Sequence, residues 1–541
     1  MSKNARPNNG ANPGSFLRTI DGVVAVPTIA MLFVLIIWIM LDGGNVTAKM
    51  NKVTNFYTST FGDLYLVLGV VCLLVSIYLI CSRYGNIKIG KPDDKPEYSD
   101  FQYWTILFCS ALGAGICIWG LAEPLYIMKS SVYGLEAGSP QMAEKALSYA
   151  FLHWGWIPWA FFGLPGVMYG YYIHNKGMAP RFTMPLRSLV GEKHYNGVWV
   201  KLAEAILLMA SVAATPILII NGVYLVTSGL NLRFGIPVGS ASRAVVCLLI
   251  CAICFWSAFR DIKKGLGKVS KINIFLCFFV CGFIFLVTEP SFIMKFATTA
   301  MGDLLSNFFK MALWCDPIAM GGFPQAWTIV YWIWWLVAAF ITGLIFANLC
   351  KGRTLRQALL PIIFLSPLMA FVWFATWSGG ALASDLHKGT DYLTLLDSLG
   401  KEGLAFQFVM DLPLGKLVVV PYIILIAVFV CTTTDAFCLC YAQVSTKEEY
   451  FKAHSGRTVE PPAGSRVIYC LLATVLSYLL MLSNIDFNGM QALGATTTFP
   501  CIFLFYLFIY AFVRDLRLEY DLQNISQPLA LAARAGETPR A

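Results

Sequence analysis

The stretch WTIVYWIWWLVAAF, from Trp327 to Phe340, contains no charged residue and places four tryptophans and one tyrosine within its first nine positions. With the apolar residues that follow, it is long enough to cross the hydrocarbon of a bilayer as a helix. Tryptophan in membrane proteins normally lies at the boundary with water, where its N–H group stays hydrated. The concentration of tryptophan inside one apolar segment therefore indicates a membrane-spanning helix whose rings have a further role.

The whole chain shares this apolar character. Of its 541 residues, 58% are apolar and 13% are charged, and the mean hydropathy is +0.67. These values exclude a soluble globular protein and predict an all-α polytopic membrane protein. We predict twelve spans of about 20 apolar residues. They lie near residues 21–41, 62–82, 102–127, 146–174, 197–228, 243–259, 270–295, 326–350, 357–378, 416–444, 466–484 and 491–513.

The distribution of basic residues predicts the orientation of these spans. A cytoplasmic N-terminus places most of the 39 lysine and arginine residues on the cytoplasmic side, which is the usual bias of membrane proteins. Both termini are therefore predicted to be cytoplasmic, with tails at 1–20 and 514–541. The net charge of +9 follows from this bias, so we expect no nucleic-acid partner. The polar start followed by a full-length span predicts an uncleaved first helix.

Span three contains the stretch CSALGAGICIWGLAEP, from Cys109 to Pro124, which is rich in glycine and alanine. Glycine weakens a helix, so we predict an interruption here. Interrupted helices in membranes occur where protein or a water-filled cavity satisfies the freed backbone groups, and transporters build midplane substrate and ion sites in this way. Close packing of a neighbouring helix against the small residues is the alternative explanation.

A second tryptophan-rich stretch, HWGWIPW from His153 to Trp159, lies in span four. In the opening stretch, the rings of Tyr331, Trp334 and Trp335 share the face of its first residue, because offsets of four, seven and eight return to one side of a helix. A box of aromatic faces binds a quaternary ammonium, which has no hydrogen to donate, by cation–π attraction. Core packing or an interfacial aromatic belt is the alternative.

These residues carry a resemblance to a known family. WTIVYWIWW with the following KGRTLRQ (351–357), HWGWIPW in span four and TTTDA (432–436) in span ten are similar to motifs of the betaine/carnitine/choline transporter family. The resemblance covers about residues 20–515. It implies a secondary transporter of quaternary-ammonium or betaine-type solutes in a bacterial cytoplasmic (inner) membrane. It also implies alternating access and assembly as a homotrimer.

The fold implied by this resemblance is leucine-transporter-like. Two preliminary helices and a cytoplasmic loop would occupy 21–100, a first inverted repeat of five helices 101–296 and a second inverted repeat 326–513. The outer-face segment 297–325 connects the repeats. This segment and 378–415 are long enough to hold short helices, which would be lids over a binding site or ordinary surface structure.

The resemblance also implies a solute site inside the bundle. Each residue of that site is carried over by its position in the matching motifs. The implied residues are Trp154, Trp159 and Trp335 for the ammonium cage, Phe162 where the best-known betaine carrier has tyrosine, and Trp334 along the path.

One wall of this implied cage departs from the family. Three residues after Trp335, where the family has another aromatic residue, this chain has Ala338. The cage would then be wider, displaced, or completed by Tyr126 or Trp119. A missing ring would admit a bulkier headgroup or a longer tail than that of glycine betaine.

The coupling ion is the second expectation. Hydroxyls and carbonyls at helix breaks are the usual membrane ligands of Na⁺, and no other cofactor or metal is expected. Hydrogen bonding of the same hydroxyls to preceding carbonyls is the alternative. The positions that resemble the sodium site of the family are the carbonyls of Cys109, Leu112 and Phe429 and the hydroxyls of Thr432 and Thr433.

Further residues bear on coupling. Ser211 and Thr215, four apart on span five, would form another polar patch. Asn273 stands where the sodium-independent exchangers carry an arginine, which favours Na⁺, whereas ALGAG in place of the usual GMGIG in span three disfavours it. Lys271 would either supply the charge of that arginine or flank the membrane on the cytoplasmic side. We expect Na⁺ to drive transport.

Two other classes of protein fit the sequence less well. An enzyme would need a cluster of catalytic or metal-binding side chains, but the chain has five histidines, and His153 is the one that clearly lies within a span. The sixteen cysteines lie mostly in apolar runs and are predicted to be reduced packing residues. A channel would need a continuous polar pore. A sodium-coupled carrier of another amine or amino acid on the same fold remains the alternative.

Overall fold

The computed structural model describes residues 17–258, 262–453, 460–482 and 497–520. Over these ranges the chain forms α-helices with a few short 3₁₀ and π-helical turns, and its β-type pairing is limited to two isolated bridges. The all-α fold class predicted from composition is therefore confirmed.

The first half of the chain forms eight longer helices within the described residues. They are α1 (Gly22–Cys81), α2 (Asp100–Leu112), α3 (Gly115–Met128), α4 (Pro140–Trp154), α5 (Trp156–His174), α6 (Val198–Phe234), α7 (Ser240–Ala258) and α8 (Ile262–Val287). The backbone of α1 is not helical at Asp42, so this one helix supplies two candidate spans. Ser99 and Ser139 cap α2 and α4, because each side chain accepts a hydrogen bond from a first-turn N–H group.

The second half continues in the same way. Its longer helices in the described ranges are α9 (Pro290–Ala312), α10 (Thr328–Leu349), α11 (Leu355–Lys388), α12 (Tyr392–Asp411), α13 (Gly415–Val444), α14 (Ala463–Leu482) and α15 (Thr497–Tyr520). A capping box formed by Thr354 and Gln357 starts α11. Gly389, in the left-handed conformation, ends it.

The number of membrane spans can be compared with the twelve predicted. In the part of the chain that the structure describes, nine helices are long and apolar enough to cross a bilayer, and the bent pair α2 and α3 raises the number to ten. The predicted span 146–174 is divided between α4 and α5, and the apolar part of α7 is short. The predicted span 491–513 begins outside the described residues. The total of twelve therefore stays a prediction.

The interruption predicted in span three is present. Helix α2 ends at Leu112, helix α3 begins at Gly115, and the two axes are bent by 64°. Between them Gly113 has φ +55° and ψ −149°, a conformation that side-chain-bearing residues rarely adopt. The glycine-rich stretch thus breaks the helix inside the bundle.

Helices α5 and α10, which carry the two tryptophan-rich stretches, pack closely against each other in the core. Gly166 makes this approach possible, because a Cβ at that position would lie 2.7 Å from the Cβ of Phe346. Helix α6 packs against α13, and both also contact α10. The broken helix and these four helices therefore surround one region of the interior.

Both long connections contain helices. Helix α8 ends at Val287 and Pro290 starts α9, so the predicted end of span seven at residue 295 is wrong by eight residues. Proline favours the first turn of a new helix, since its missing N–H group is not needed there. Helix α9 packs against α4 and α11, while α12 packs against α3, α6 and α13.

The start of the described chain is attached to its distant part. Ile20 forms an isolated antiparallel bridge with Thr446, and the N–H group of Asp21 donates to the carbonyl of Ser445 at 2.8 Å. The guanidinium of Arg181 donates to the Asp21 carboxylate at 3.0 Å and to the carbonyl of Thr446 at 3.2 Å. These contacts fix the beginning of α1 against the end of α13.

Candidate functional site

Trp335 is the centre of the aromatic cluster formed by the two tryptophan-rich stretches. Its ring centroid lies 5.1 Å from that of Trp154 and 5.5 Å from that of Phe162, and both pairs are close to perpendicular. Trp327, Tyr331 and Trp335 follow one another along one side of α10, with centroid separations of 6.4 and 6.3 Å. The shared face predicted from the spacing of these residues is therefore confirmed.

A pocket lies beside this cluster, between the break of the third span and helices α6, α10 and α13. Its lining is mostly apolar and aromatic, which is typical of small-molecule sites. Of the residues predicted for the solute or the ion, those on its wall are Leu112, Trp119, Trp154, Ser211, Trp334, Trp335 and Ala338.

The three other residues predicted for the solute lie outside this wall. Phe162 packs behind Trp335, and Trp159 lies beyond it, 6.0 Å from Phe162 and stacked on Phe108 at 5.8 Å. Tyr126 lies 6.4 Å from Trp327, at the end of the aromatic cluster and off the pocket wall. The pocket thus brings Trp154 and Trp335 together at its surface, with Phe162 and Trp159 supporting them from behind.

The carboxylate of Glu123 holds the cluster in place. Its two oxygens accept three hydrogen bonds, from Trp154 Nε1 at 2.7 Å, Tyr331 Oη at 2.5 Å and His153 Nδ1 at 2.7 Å. The side chains of Glu123 and His153 are completely buried. These contacts join α3, α4 and α10 through one acidic group.

The indole of Trp335 and the second ring nitrogen of His153 also have partners. Trp335 Nε1 donates to the carbonyl of His153 at 3.0 Å, and His153 Nε2 lies 3.0 Å from the hydroxyl of Thr328. The N–H groups of Trp154 and Trp335 are therefore both directed to protein acceptors. These two rings therefore present π surface to a solute. Such a surface attracts a cation without a hydrogen bond.

Trp119 extends the aromatic surface towards α12. Its ring is near perpendicular to the rings of Trp327 and Tyr331, with centroids 6.4 Å apart in both pairs. The ammonium nitrogen of Lys401, on α12, lies 5.5 Å from the centroid of Trp119. Burial lowers the pKa of Lys401 below its usual value, and the neighbouring Glu402 partly opposes this effect. The Trp119 ring thus already faces a cation supplied by the protein.

The hydroxyls predicted to hold Na⁺ lie against the broken helix. Thr433 Oγ1 donates to the carbonyl of Cys109 at 3.3 Å, which joins α13 to α2 just before the break. Thr432 Oγ1 donates to the carbonyls of Val428 at 2.9 Å and Phe429 at 3.1 Å in its own helix. The implied ligand residues thus form two pairs, Thr433 with Cys109 between helices and Thr432 with Phe429 within α13, and the second is the own-helix hydrogen bonding named above as the alternative.

The polar patch on α6 is formed with a tyrosine of α13. Ser211 Oγ donates to the carbonyl of Leu207 at 2.9 Å, as membrane-helix serines often do. Thr215 Oγ1 lies 2.5 Å from Tyr441 Oη, and Tyr441 Oη donates to the carbonyl of Ser211 at 2.7 Å. The patch thus links α6 to α13.

The two residues compared with the arginine of the exchangers have different surroundings. Asn273 is completely buried, and its side chain lies beside the Cys109 thiol. Lys271, two residues earlier, is exposed. The side chain that lies beside Cys109 of α2 is therefore the neutral amide of Asn273, whereas the charge of Lys271 is exposed on the surface.

Several residues of this region were not singled out as site residues from sequence. Phe374 of α11 packs on Trp154 at 5.3 Å, and Asn221 and Phe437 line the pocket. The sequence does contain a signal for Asn221, because an isolated asparagine in the apolar run PILIINGVYLV indicates a functional position. The carboxylate of Asp435, which follows the threonines, pairs instead with Arg466 of α14.

Comparison with known proteins supplies the family. The model of the BCCT, betaine/carnitine/choline family transporter, matches residues 23–521. A probable glycine betaine transporter of Desulfitobacterium hafniense is 26% identical over 504 residues, 91% of this chain and 96% of its own length. The transporter YeaV of Escherichia coli is 28% identical over 452 residues, 82% of this chain and 91% of its own length.

Two further proteins are similar to this chain. An ectoine/hydroxyectoine transporter of Virgibacillus pantothenticus is 26% identical over 470 residues, 87% of this chain and 91% of its own length. Among solved structures, a Na⁺-coupled sialic acid symporter in a substrate-bound outward-open state is 15% identical, with a TM-score of 0.44 over 84% of this chain and 87% of that one. The match to the family model over nearly all of the sequence shows that this chain is a member of the betaine/carnitine/choline transporter family, which is a family of transporters and not of enzymes.

Proposed function

We propose that this protein carries a quaternary-ammonium or betaine-type solute across the bacterial cytoplasmic membrane by alternating access, with both termini on the cytoplasmic side and as a homotrimer. The observation that carries the proposal is the pocket wall of Trp154 and Trp335, whose N–H groups both donate to protein acceptors. Such a surface suits a cation surrounded by methyl groups, with an attraction of up to about 2 kcal/mol for a desolvated contact. Relatives named as glycine betaine transporters support the same chemistry.

The first test is uptake into proteoliposomes that contain the purified full-length protein. Labelled glycine betaine, carnitine, choline and ectoine are each supplied with and without an inward Na⁺ gradient, and with and without unlabelled solute inside. Saturable uptake of one of the three quaternary ammonium solutes is expected. Uptake of ectoine alone would favour the alternative, a carrier of another amine or amino acid.

The tryptophan wall can be tested with one matched pair of substitutions on α10. Trp335→Phe reduces the π surface that faces the pocket and should weaken solute binding by a few-fold to about tenfold. Trp332→Phe changes a completely buried ring that packs towards Gly69 of α1 and should leave binding unchanged. Binding is measured with labelled solute on purified protein. Equal losses in both variants would contradict the role of the cage.

We further propose that Na⁺ drives transport. The hydroxyls of Thr432 and Thr433 with the carbonyls of Cys109, Leu112 and Phe429 supply oxygen ligands at a helix break, the arrangement that Na⁺ sites in such transporters use. The contact of Thr433 with the Cys109 carbonyl supports this assignment. Asn273 is neutral, so its position carries no arginine charge that would take the place of Na⁺.

Thr433→Val should raise the Na⁺ concentration for half-maximal uptake by about tenfold, because it removes one oxygen ligand and keeps the shape of the side chain. Lys271→Ala should leave the Na⁺ dependence unchanged, since Lys271 is exposed. Both are measured as initial uptake rates over a series of Na⁺ concentrations. The assignment is wrong if Thr433→Val leaves this dependence unchanged, or if Lys271→Ala converts a Na⁺-insensitive carrier into a Na⁺-dependent one.

A further inference from the structure

Asn221 of α6 lies on the wall of the same pocket as Trp154 and Trp335. Its side chain is 3% exposed, and among the described residues its Oδ1 atom is buried without a hydrogen-bond partner. A buried polar atom without a partner destabilises a protein, so it requires an explanation. A pocket that receives a polar group of the solute would explain this unpartnered atom.

Four other polar side chains on the wall already have hydrogen-bond partners. Ser211 donates to its own helix, Tyr331 donates to Glu123, and the N–H groups of Trp154 and Trp335 have protein acceptors. No lysine, arginine, aspartate or glutamate is among the described residues that line the pocket. The amide of Asn221 therefore offers a solute a hydrogen-bonding capacity that the donors of these four side chains do not.

The chemistry of a side-chain amide restricts what it recognises. It presents one acceptor oxygen and an N–H₂ donor, and the assignment of these two atoms follows from the surrounding contacts. A trimethylammonium group satisfies neither atom, and a carboxylate satisfies only the donor. A hydroxyl group donates and accepts, so it fits the unpartnered Oδ1 atom and would also fit the opposite orientation of the amide.

We propose that Asn221 is a specificity-determining residue that selects quaternary ammonium solutes carrying a hydroxyl group. The solute hydroxyl donates to Oδ1 of Asn221 while its ammonium contacts the aromatic wall. This inference rests on the proposed function and adds the class of solute. A site that hydrogen-bonds a hydroxyl rejects the analogue that lacks it, because the buried polar group is then left unpaired.

Two pairs of solutes differ at the hydroxyl and otherwise share their charge and nearly their shape. Choline is paired with propyltrimethylammonium, and L-carnitine with γ-butyrobetaine. Equilibrium binding of all four is measured by tryptophan fluorescence of the purified full-length protein. In the wild type, the hydroxylated member of at least one pair should bind about tenfold more tightly, the equivalent of one hydrogen bond.

Asn221→Leu keeps the approximate size of the side chain and removes its hydrogen bonding. This variant should reduce the preference within the pair to less than about twofold, mainly by weakening the hydroxylated solute. Thr227→Val is the matched control from the same helix, and it should retain the wild-type preference because Thr227 does not line the pocket and its buried hydroxyl donates to the carbonyls of Val223 and Tyr224. Asn221→Gln, which keeps an amide, should restore part of the preference and guards against a folding defect in Asn221→Leu.

The outcomes separate the inference from the proposed function. Equal wild-type affinity within both pairs, or an unchanged preference in Asn221→Leu, would overturn the assignment of Asn221 alone. An equal loss of preference in Asn221→Leu and Thr227→Val would also overturn it. Failure of the wild type to bind any of the four solutes would overturn the inference, whereas the proposed function would be overturned only if glycine betaine were not transported either.

Discussion

Glu123 shows how one residue controls the chemistry of the aromatic wall. Its buried carboxylate accepts from the indole of Trp154, and an indole whose N–H group bonds to an anion has a more electron-rich ring. The negative charge also lies next to the place where we propose a cation binds. Glu123 is therefore a positioning residue that acts through Trp154 and Tyr331.

Replacement of Glu123 tests this effect. Glu123→Gln removes the charge and introduces an amide N–H₂ group among three donors, so we expect about tenfold weaker binding of quaternary ammonium solutes and a lower Tm. Tyr331→Phe removes one of the three hydrogen bonds but keeps the charge, and it should weaken binding less. Both are measured by equilibrium binding and thermal unfolding. Equal losses in the two variants would show that the charge contributes nothing.

At the scale of elements, the break between α2 and α3 separates two half-helices with different neighbours. Helix α2 packs against α8 and α13 and helix α3 packs against α4 and α12, while α11 contacts both half-helices. The half-helices can therefore follow different groups of helices if those groups move relative to each other. Gly113 is the connection, and its conformation is one that favours glycine.

The conformation of Gly113 gives a prediction for stability. A Cβ at this position would meet its nearest atom at 3.6 Å, so Gly113→Ala creates no clash and its cost is conformational, about 1–3 kcal/mol. Gly282→Ala in α8 is the control, because it has open space and ordinary helical backbone and should leave the Tm unchanged or raised. Thermal unfolding in detergent compares them. A Tm for Gly113→Ala equal to that of the wild type would contradict the strain at the break.

The break and the aromatic face of α10 could be predicted from sequence because both depend on residues close together in the chain. The spacing of the glycines predicts the break, and the helical spacing of the aromatic residues predicts their shared face. The contacts of Glu123 with Tyr331, 208 positions away, depend on how α3 and α10 pack, which no local pattern contains. The same reason applies to Trp159 and Tyr126, whose positions away from the pocket wall are set by neighbouring helices.

At the scale of the whole molecule, the described bundle is closed by contacts between parts of the chain that are far apart. Glu123 joins three helices near the pocket, Thr433 joins α13 to α2, and Arg353 after α10 forms an ion pair with Asp100 at the start of α2. A substitution at one of these junctions affects several helices together. Each of these side chains therefore stabilises the packing of several helices around the pocket, in addition to its own helix.

The attachment of the chain's beginning to the end of α13 has a consequence for biosynthesis. Lys447 Nζ donates to the carbonyl of Arg18, 429 positions earlier, and the N–H group of Lys447 donates to the carbonyl of Thr19. At 5–20 residues per second, the ribosome delivers Lys447 roughly 20–90 s after Arg18. Until then the carbonyls of Arg18 and Thr19 and the N–H group of Asp21 lack their native partners. The first helix to be made is thus among the last to reach its final contacts.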